Sequence, residues 1–204
     1  MQKKSLITAV CAMTVAIIAS EVGAAQVTFH GFGYKKKVNF VHNGSMMGVR
    51  AGQFLIDIDG VDAVAYCVDL DHRLKSVWEA DIAPVGIING GLAAAYLYDH
   101  FADTVSSNVE AAALQVSLWE VVDDYGSGLD LWSGAFQMIG PGDVATQAET
   151  YLSAIPGDLS GYVTPSYILD SGDCPRSQDL IVPEPATLAL IGLGCIPVVR
   201  RKRR

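Results

Sequence analysis

The apolar positions change period along the chain. Gln26–His30, Lys37–Val41 and Gln53–Ile58 each alternate in part or concentrate β-branched and aromatic residues, which predicts short strands. Gly31, Gly33, Asn43-Gly44 and Gly48 punctuate them. Asp59-Gly60 stands between Phe54-Leu-Ile-Asp-Ile and Val61-Asp-Ala-Val-Ala-Tyr-Cys-Val. Both turn residues tolerate positive φ, so residues 53–70 read as a hairpin whose second strand carries Cys67. After Gly90-Gly91 the period becomes helical. Leu92–Ala102 is Ala-rich, with Tyr96, Leu97 and Phe101 at helical spacing. Ser107-Asn-Val-Glu110 reads as a capping box opening a helix to about Asp123, with Val109, Ala112, Ala113, Val116 and Trp119 on one apolar face. Val144–Ile155 predicts a third helix, Tyr162–Leu169 a closing strand, and Gly172–Val182 a polar linker. Strands, then helices, then a last strand predict an α+β fold: a β-sandwich or partial barrel with a helical block inserted between the Cys strand and the closing strand.

Composition narrows the class. The chain has 204 residues, half of them hydrophobic, and a formal net charge of −8. Half-apolar composition excludes a disordered chain, because enough surface can be buried to offset ordering entropy. The charge is uneven. Residues 26–182 hold 7 basic and 20 acidic side chains, and the remaining basic residues sit at the two ends. An acidic body argues against nucleic acid as a partner. The ends therefore need a separate reading.

The N-terminus runs Met-Gln-Lys-Lys, an apolar stretch Leu6–Ala19, then Glu-Val-Gly-Ala-Ala-Gln. Positive, apolar and small residues in that order read as a secretory signal over residues 1–25. The C-terminus runs Pro183-Glu184-Pro185-Ala186-Thr187-Leu188, an uncharged stretch of 14 residues from Ala186 to Val199, and five consecutive basic residues. That stretch is short for a bilayer span, and the basic cluster marks its cytoplasmic side. This order resembles the PEP-CTERM sorting signal of Gram-negative bacteria that make exopolysaccharide. The resemblance implies an exosortase as partner, acting near Pro183-Glu184-Pro185. It also implies membrane attachment through residues 183–204 before processing, and delivery to the envelope, surface or matrix.

Removal of both ends leaves two cysteines, Cys67 and Cys174. In an exported protein two cysteines default to a disulfide. A second reading starts from Gln115, a polar amide inside Ala111-Ala-Ala-Leu-Gln-Val-Ser-Leu-Trp119. Burying such an amide without partners costs about 1–3 kcal/mol, so it needs partners. Tyr66-Cys67-Val68-Asp69 and Gln115-Val-Ser-Leu118-Trp119 resemble the strand and helix motifs of the thioester domain of bacterial surface proteins. The resemblance covers most of residues 26–170 and departs at Leu114, where Thr is common, and Ser117, where Ala is common. It implies that the Cys67 thiol and the Gln115 carboxamide join in an internal thioester. The protein would then attach covalently to an amine- or hydroxyl-bearing surface or matrix component. Tyr66, Val116, Leu118 and Trp119 are expected to exclude water from the bond, and Asp69, His72 and Glu120 are candidate proton handlers. Such a reaction runs once per molecule, so no enzyme is expected. The alternative is a non-covalent structural or glycan-binding matrix protein of the same fold, tied by Cys67–Cys174.

Other patterns carry less. Asp57-Ile-Asp-Gly-Val-Asp62 misplaces the glycine of a calcium loop and lacks its terminal Glu. His30, His42, His72 and His100 show no metal-ligand spacing, so no metal or cofactor is expected. Lys35-Lys36-Lys37 reads as a solvated turn or protected edge strand. Trp78, Trp119 and Trp132 are candidates for a carbohydrate groove or for buried packing. No Gly-x-Ser-x-Gly or phosphate loop is present.

Overall fold

A computed structural model describes residues 24–140, 142–172 and 176–184. Strands β1 (Ala25–His42) and β2 (Ser45–Ile58) form a long antiparallel hairpin. Its turn, Asn43-Gly44, has φ of +49° and +77°. The Asp59-Gly60 turn into β3 (Val61–Cys67) repeats this, with φ of +51° and +87°. Two successive positive-φ residues match the right-handed twist of the flanking strands. The two strands expected at Gln26–His30 and Lys37–Val41 are one strand. Register shifts at Phe29/Gly31 and Phe32/Lys35 absorb the glycines as bulges instead of ending the strand. Lys35-Lys36-Lys37 consequently lies inside β1, paired to Gly52, Ala51 and Arg50 of β2.

Strand β4 (Val77–Pro84) pairs with β1 through its first half and with β6 (Tyr167–Asp170) through its second. Strand β3 behaves the same way. It pairs with β2 up to Ala65, then with β7 (Leu180–Val182) at Tyr66 and Cys67. β6 and β7 pair with each other, so the antiparallel ladder runs β1–β2–β3–β7–β6–β4 and returns to β1. β3 and β4 are its corners. A short β5 (Phe136–Met138) adds to the far end of β1. The fold is thus α+β and dominated by an antiparallel sheet.

Two expectations shift at the C-terminal end. The closing strand is β6, while Ser166 and the loop before it are held by Asp99, whose carboxylate accepts from the hydroxyls of Tyr162, Thr164 and Ser166. The stretch expected as a polar linker carries β7, whose three residues are all buried. Three apolar residues are too few to show a period.

The helical block comprises α1 (Gly91–Phe101), α2 (Asn108–Asp124) and α3 (Asp143–Ser153). Ser107 caps α2, its Oγ accepting from Glu110 N at 3.2 Å. Glu110 reaches back one residue further than a capping box requires, accepting from Ser106 N at 2.7 Å. α2 packs against β1, β2, α1 and α3. It was expected to bury one face, but every residue from Ala111 to Val121 is buried. Ala111, Ala112 and Ala113 are small enough for neighbours to close in on all sides. Phe40, Trp119 and Phe136 pack together where α2 meets the sheet, with Phe40–Phe136 centroids 5.0 Å apart.

Candidate functional site

Cys67 ends β3, at the point where that strand has left β2 and entered its pairing with β7. Gln115 sits near the middle of α2 and is 1% exposed. The Cys67 N–H donates to Gln115 Oε1 at 2.9 Å, and Gln115 Nε2 donates to the Cys67 carbonyl at 2.7 Å. The carboxamide thus replaces the strand neighbour that Cys67 has lost, meeting both backbone groups at once. A buried backbone pair left open would cost about 1–3 kcal/mol per group.

Cys67 carries a free, fully buried thiol. Its S–H donates to the Asp69 carbonyl at 2.9 Å, and the Asp69 N–H approaches the sulfur at 3.3 Å. Burial pushes the thiol up to about 12. The Asp69 N–H and the Trp119 indole act in the opposite direction without offsetting it. The indole N–H is itself buried and makes no hydrogen bond of good geometry. The resting thiol is therefore protonated at neutral pH, and any acyl transfer onto it must move that proton during the reaction.

The surroundings are acidic and layered. Asp69 accepts from the Asp71 N–H at 2.9 Å and pairs with His72 Nδ1 at 2.8 Å. The segment after β6 closes over this turn. Val68 N donates to Asp179 O at 2.9 Å, and Arg176 pairs with Asp179 at 2.9 Å and lies 3.8 Å from Asp69. Tyr66, Val116, Leu118 and Trp119 are all buried. The Tyr66 ring meets Tyr98 edge-on at 6.1 Å, and its hydroxyl, held well above the ordinary phenol range by burial despite the nearby Gln53 amide, makes no hydrogen bond of good geometry. Leu114, where Thr is common in the family resembled, is fully buried.

Of the three candidate proton handlers, Asp69 and His72 lie in the turn that follows Cys67. Glu120 does not. Its Oε1 accepts from Asp130 N at 2.7 Å, its Oε2 has no partner, and burial pushes it up to about 7. Its side chain is fully buried. Asp123, not among the expected site residues, lies 3.2 Å from His42, and its carboxyl is pushed up to about 6 by burial against the opposing pull of that histidine. The signal was present: Gln115, Trp119 and Asp123 recur every fourth residue, on one helix face. Trp78 and Trp119 are buried and Trp132 is exposed, so the three tryptophans do not line one groove.

Residues 182–204 match the PEP-CTERM protein-sorting motif. The chain therefore carries the signal of an exported protein processed by an exosortase at the cell envelope. Neither a curated protein nor a solved structure matches the chain. The matched segment begins at Val182, the last residue of β7, so Pro183 and Glu184 follow the sheet without a spacer. Pro185, the apolar stretch, the basic cluster, the N-terminal signal up to Gly23, and Cys174 lie outside the described residues. Among the described residues no helix is long and apolar enough to cross a membrane.

Proposed function

We propose that the exported body, sorted to the surface or matrix of a Gram-negative cell, forms a Cys67–Gln115 thioester and attaches covalently to a nucleophile there. One observation carries this reading: the Gln115 carboxamide is bound through both its polar atoms to the backbone of Cys67, beside a free buried thiol. The Cys67 N–H on Oε1 polarises the carbonyl and stabilises negative charge developing on that oxygen. Bond formation joins Sγ to the carboxamide carbon and breaks its bond to Nε2. The thiol proton leaves with Nε2 as ammonia, so the step is charge-neutral overall. The apolar shell of Tyr66, Val116, Leu118 and Trp119 protects the product from water. An incoming amine would then form an amide with the Gln115 acyl group and return the thiol. Attack requires the turn after Cys67 and the Arg176–Asp179 segment to open, because the sulfur is fully covered.

A second reading, a non-covalent matrix protein, rests on the same hydrogen bonds. A glutamine that completes the ladder where β3 parts from β2 has a structural role even without chemistry. A biotinylated alkyl amine incubated with the exported protein separates the two. Covalent, denaturation-resistant labelling of the wild type, lost in Cys67→Ala, supports the thioester. Absence of labelling in the wild type, even after mild opening with low urea, leaves the structural role alone.

A further inference from the structure

We infer that His30, Asp57 and Asp62 form a divalent transition-metal site on the outer face of the β1–β2–β3 sheet. One ligand atom from each lies within 4.8 Å of the other two. Three adjacent strands supply them. Asp57 and Asp62 stand directly opposite each other across β2 and β3. Like charges in that register repel, and strand pairing alone gives no reason to place them there. Among the described residues no lysine or arginine makes an ion pair with either carboxylate. The third member arrives by a bulge. Phe29 pairs with Ile56 and Gly31 with Leu55, so His30 is the extra residue of β1. Such a bulge re-aims one side chain without ending the strand.

The carboxylates are also oriented. Asp57 Oδ1 accepts from the Gly60 N–H at 2.8 Å, which holds the side chain and leaves its second oxygen unengaged by that bond. His30 and Asp62 line a cavity of about 530 Å³ together with Tyr98, Asp103 and Pro183, so coordination positions beyond the three protein ligands have room for water or a further ligand. One imidazole with two carboxylates suits zinc, cobalt or manganese, whereas calcium prefers an all-oxygen set. Ligands of a metal at about 2.0–2.2 Å stand about 3–3.6 Å apart, so the exposed His30 and Asp62 side chains must draw in slightly. The acidic body favours cation capture at this face. The linear calcium-loop reading stays excluded, because only two of its carboxylates take part and the third ligand comes from another strand.

The test is titration of the exported protein with Co²⁺, read by its visible absorption and by calorimetry, with Zn²⁺ and Ca²⁺ as competitors. Saturable binding of one Co²⁺, displaced by Zn²⁺ and not by Ca²⁺, is expected. Binding should weaken at least tenfold in His30→Ala and in Asp62→Asn, and stay unchanged in Asp103→Asn, which alters the cavity but not the trio. All three positions can be checked for intact folding by circular dichroism. No saturable binding, binding insensitive to His30→Ala, or equal displacement by Ca²⁺ would overturn the assignment.

Discussion

The sharpest consequence of the Cys67–Gln115 arrangement is energetic coupling between the two residues. Both hydrogen bonds from Gln115 go to the backbone of Cys67, not to its side chain. Cys67→Ala therefore leaves them in place. Without a cross-link, that variant loses the packing of one buried sulfur and its hydrogen bonds with the Asp69 backbone, together about 1–3 kcal/mol. Gln115→Ala orphans a buried N–H and a buried carbonyl, at about 1–3 kcal/mol each. The two costs should then add. A thioester changes the outcome, because it closes a loop between residues 48 positions apart. Chain-entropy arithmetic for a loop of that length gives about 4 kcal/mol of stabilisation through the unfolded state. Each single variant would lose that amount, and the double variant would lose it only once. The cycle should thus show a coupling of about 4 kcal/mol. Urea unfolding followed by the fluorescence of buried Trp78 and Trp119 supplies the four free energies. Additivity within about 0.5 kcal/mol would refute the cross-link. A Gln115→Ala cost below about 1 kcal/mol would refute the hydrogen-bond reasoning itself.

Two further outcomes follow from the fold. Glu120 is held near 7 by burial, above its ordinary value, so its folded form binds a proton more tightly than its unfolded form. Its contribution to stability is complete below the ordinary glutamate value and is lost as pH rises through about 7. Unfolding free energy should therefore fall by about 1–3 kcal/mol between about pH 5 and pH 8. Glu120→Gln should reduce that slope to the part left by Asp123, and an unchanged slope in denaturation curves would contradict the assignment. The second concerns β7, which is fully buried and completes the ladder beside Cys67. A chain ending at Glu184 should fold, while one ending at Asp179 loses three buried apolar side chains, at about 1.5–3 kcal/mol each, and should not. Equal melting temperatures for the two would show that β7 is dispensable.

Where turn chemistry or helical period was strong, the fold was legible in the residues. Asp59-Gly60 marked a tight hairpin, Asn43-Gly44 a break that the structure shows to be a second hairpin turn, and Ser107 the start of α2. β5 and β7 were not legible, since each is three residues long and owes its existence to a neighbouring strand. The fusion of two expected strands into β1 was hidden for a related reason: glycine signals a break locally, while β2 enforces pairing across it. Gln115 stood out because an amide inside an Ala-Leu-Val run must find partners. The burial of Glu120 and the partnering of Asp123 were not legible, because charge on an amphipathic-looking helix reads as solvent-facing, and α2 is buried on all sides. His30, Asp57 and Asp62 come together only through strand register, which no linear spacing encodes.

The central claim, that Cys67 and Gln115 are joined, is tested most directly by the intact mass of the exported, processed protein before and after methylamine. The thioester predicts a mass short by one ammonia, rising by one methylamine on treatment, with neither feature in Gln115→Ala. A mass equal to the processed sequence and unchanged by methylamine would contradict it. A deficit of two hydrogens only would point to a Cys67–Cys174 disulfide instead.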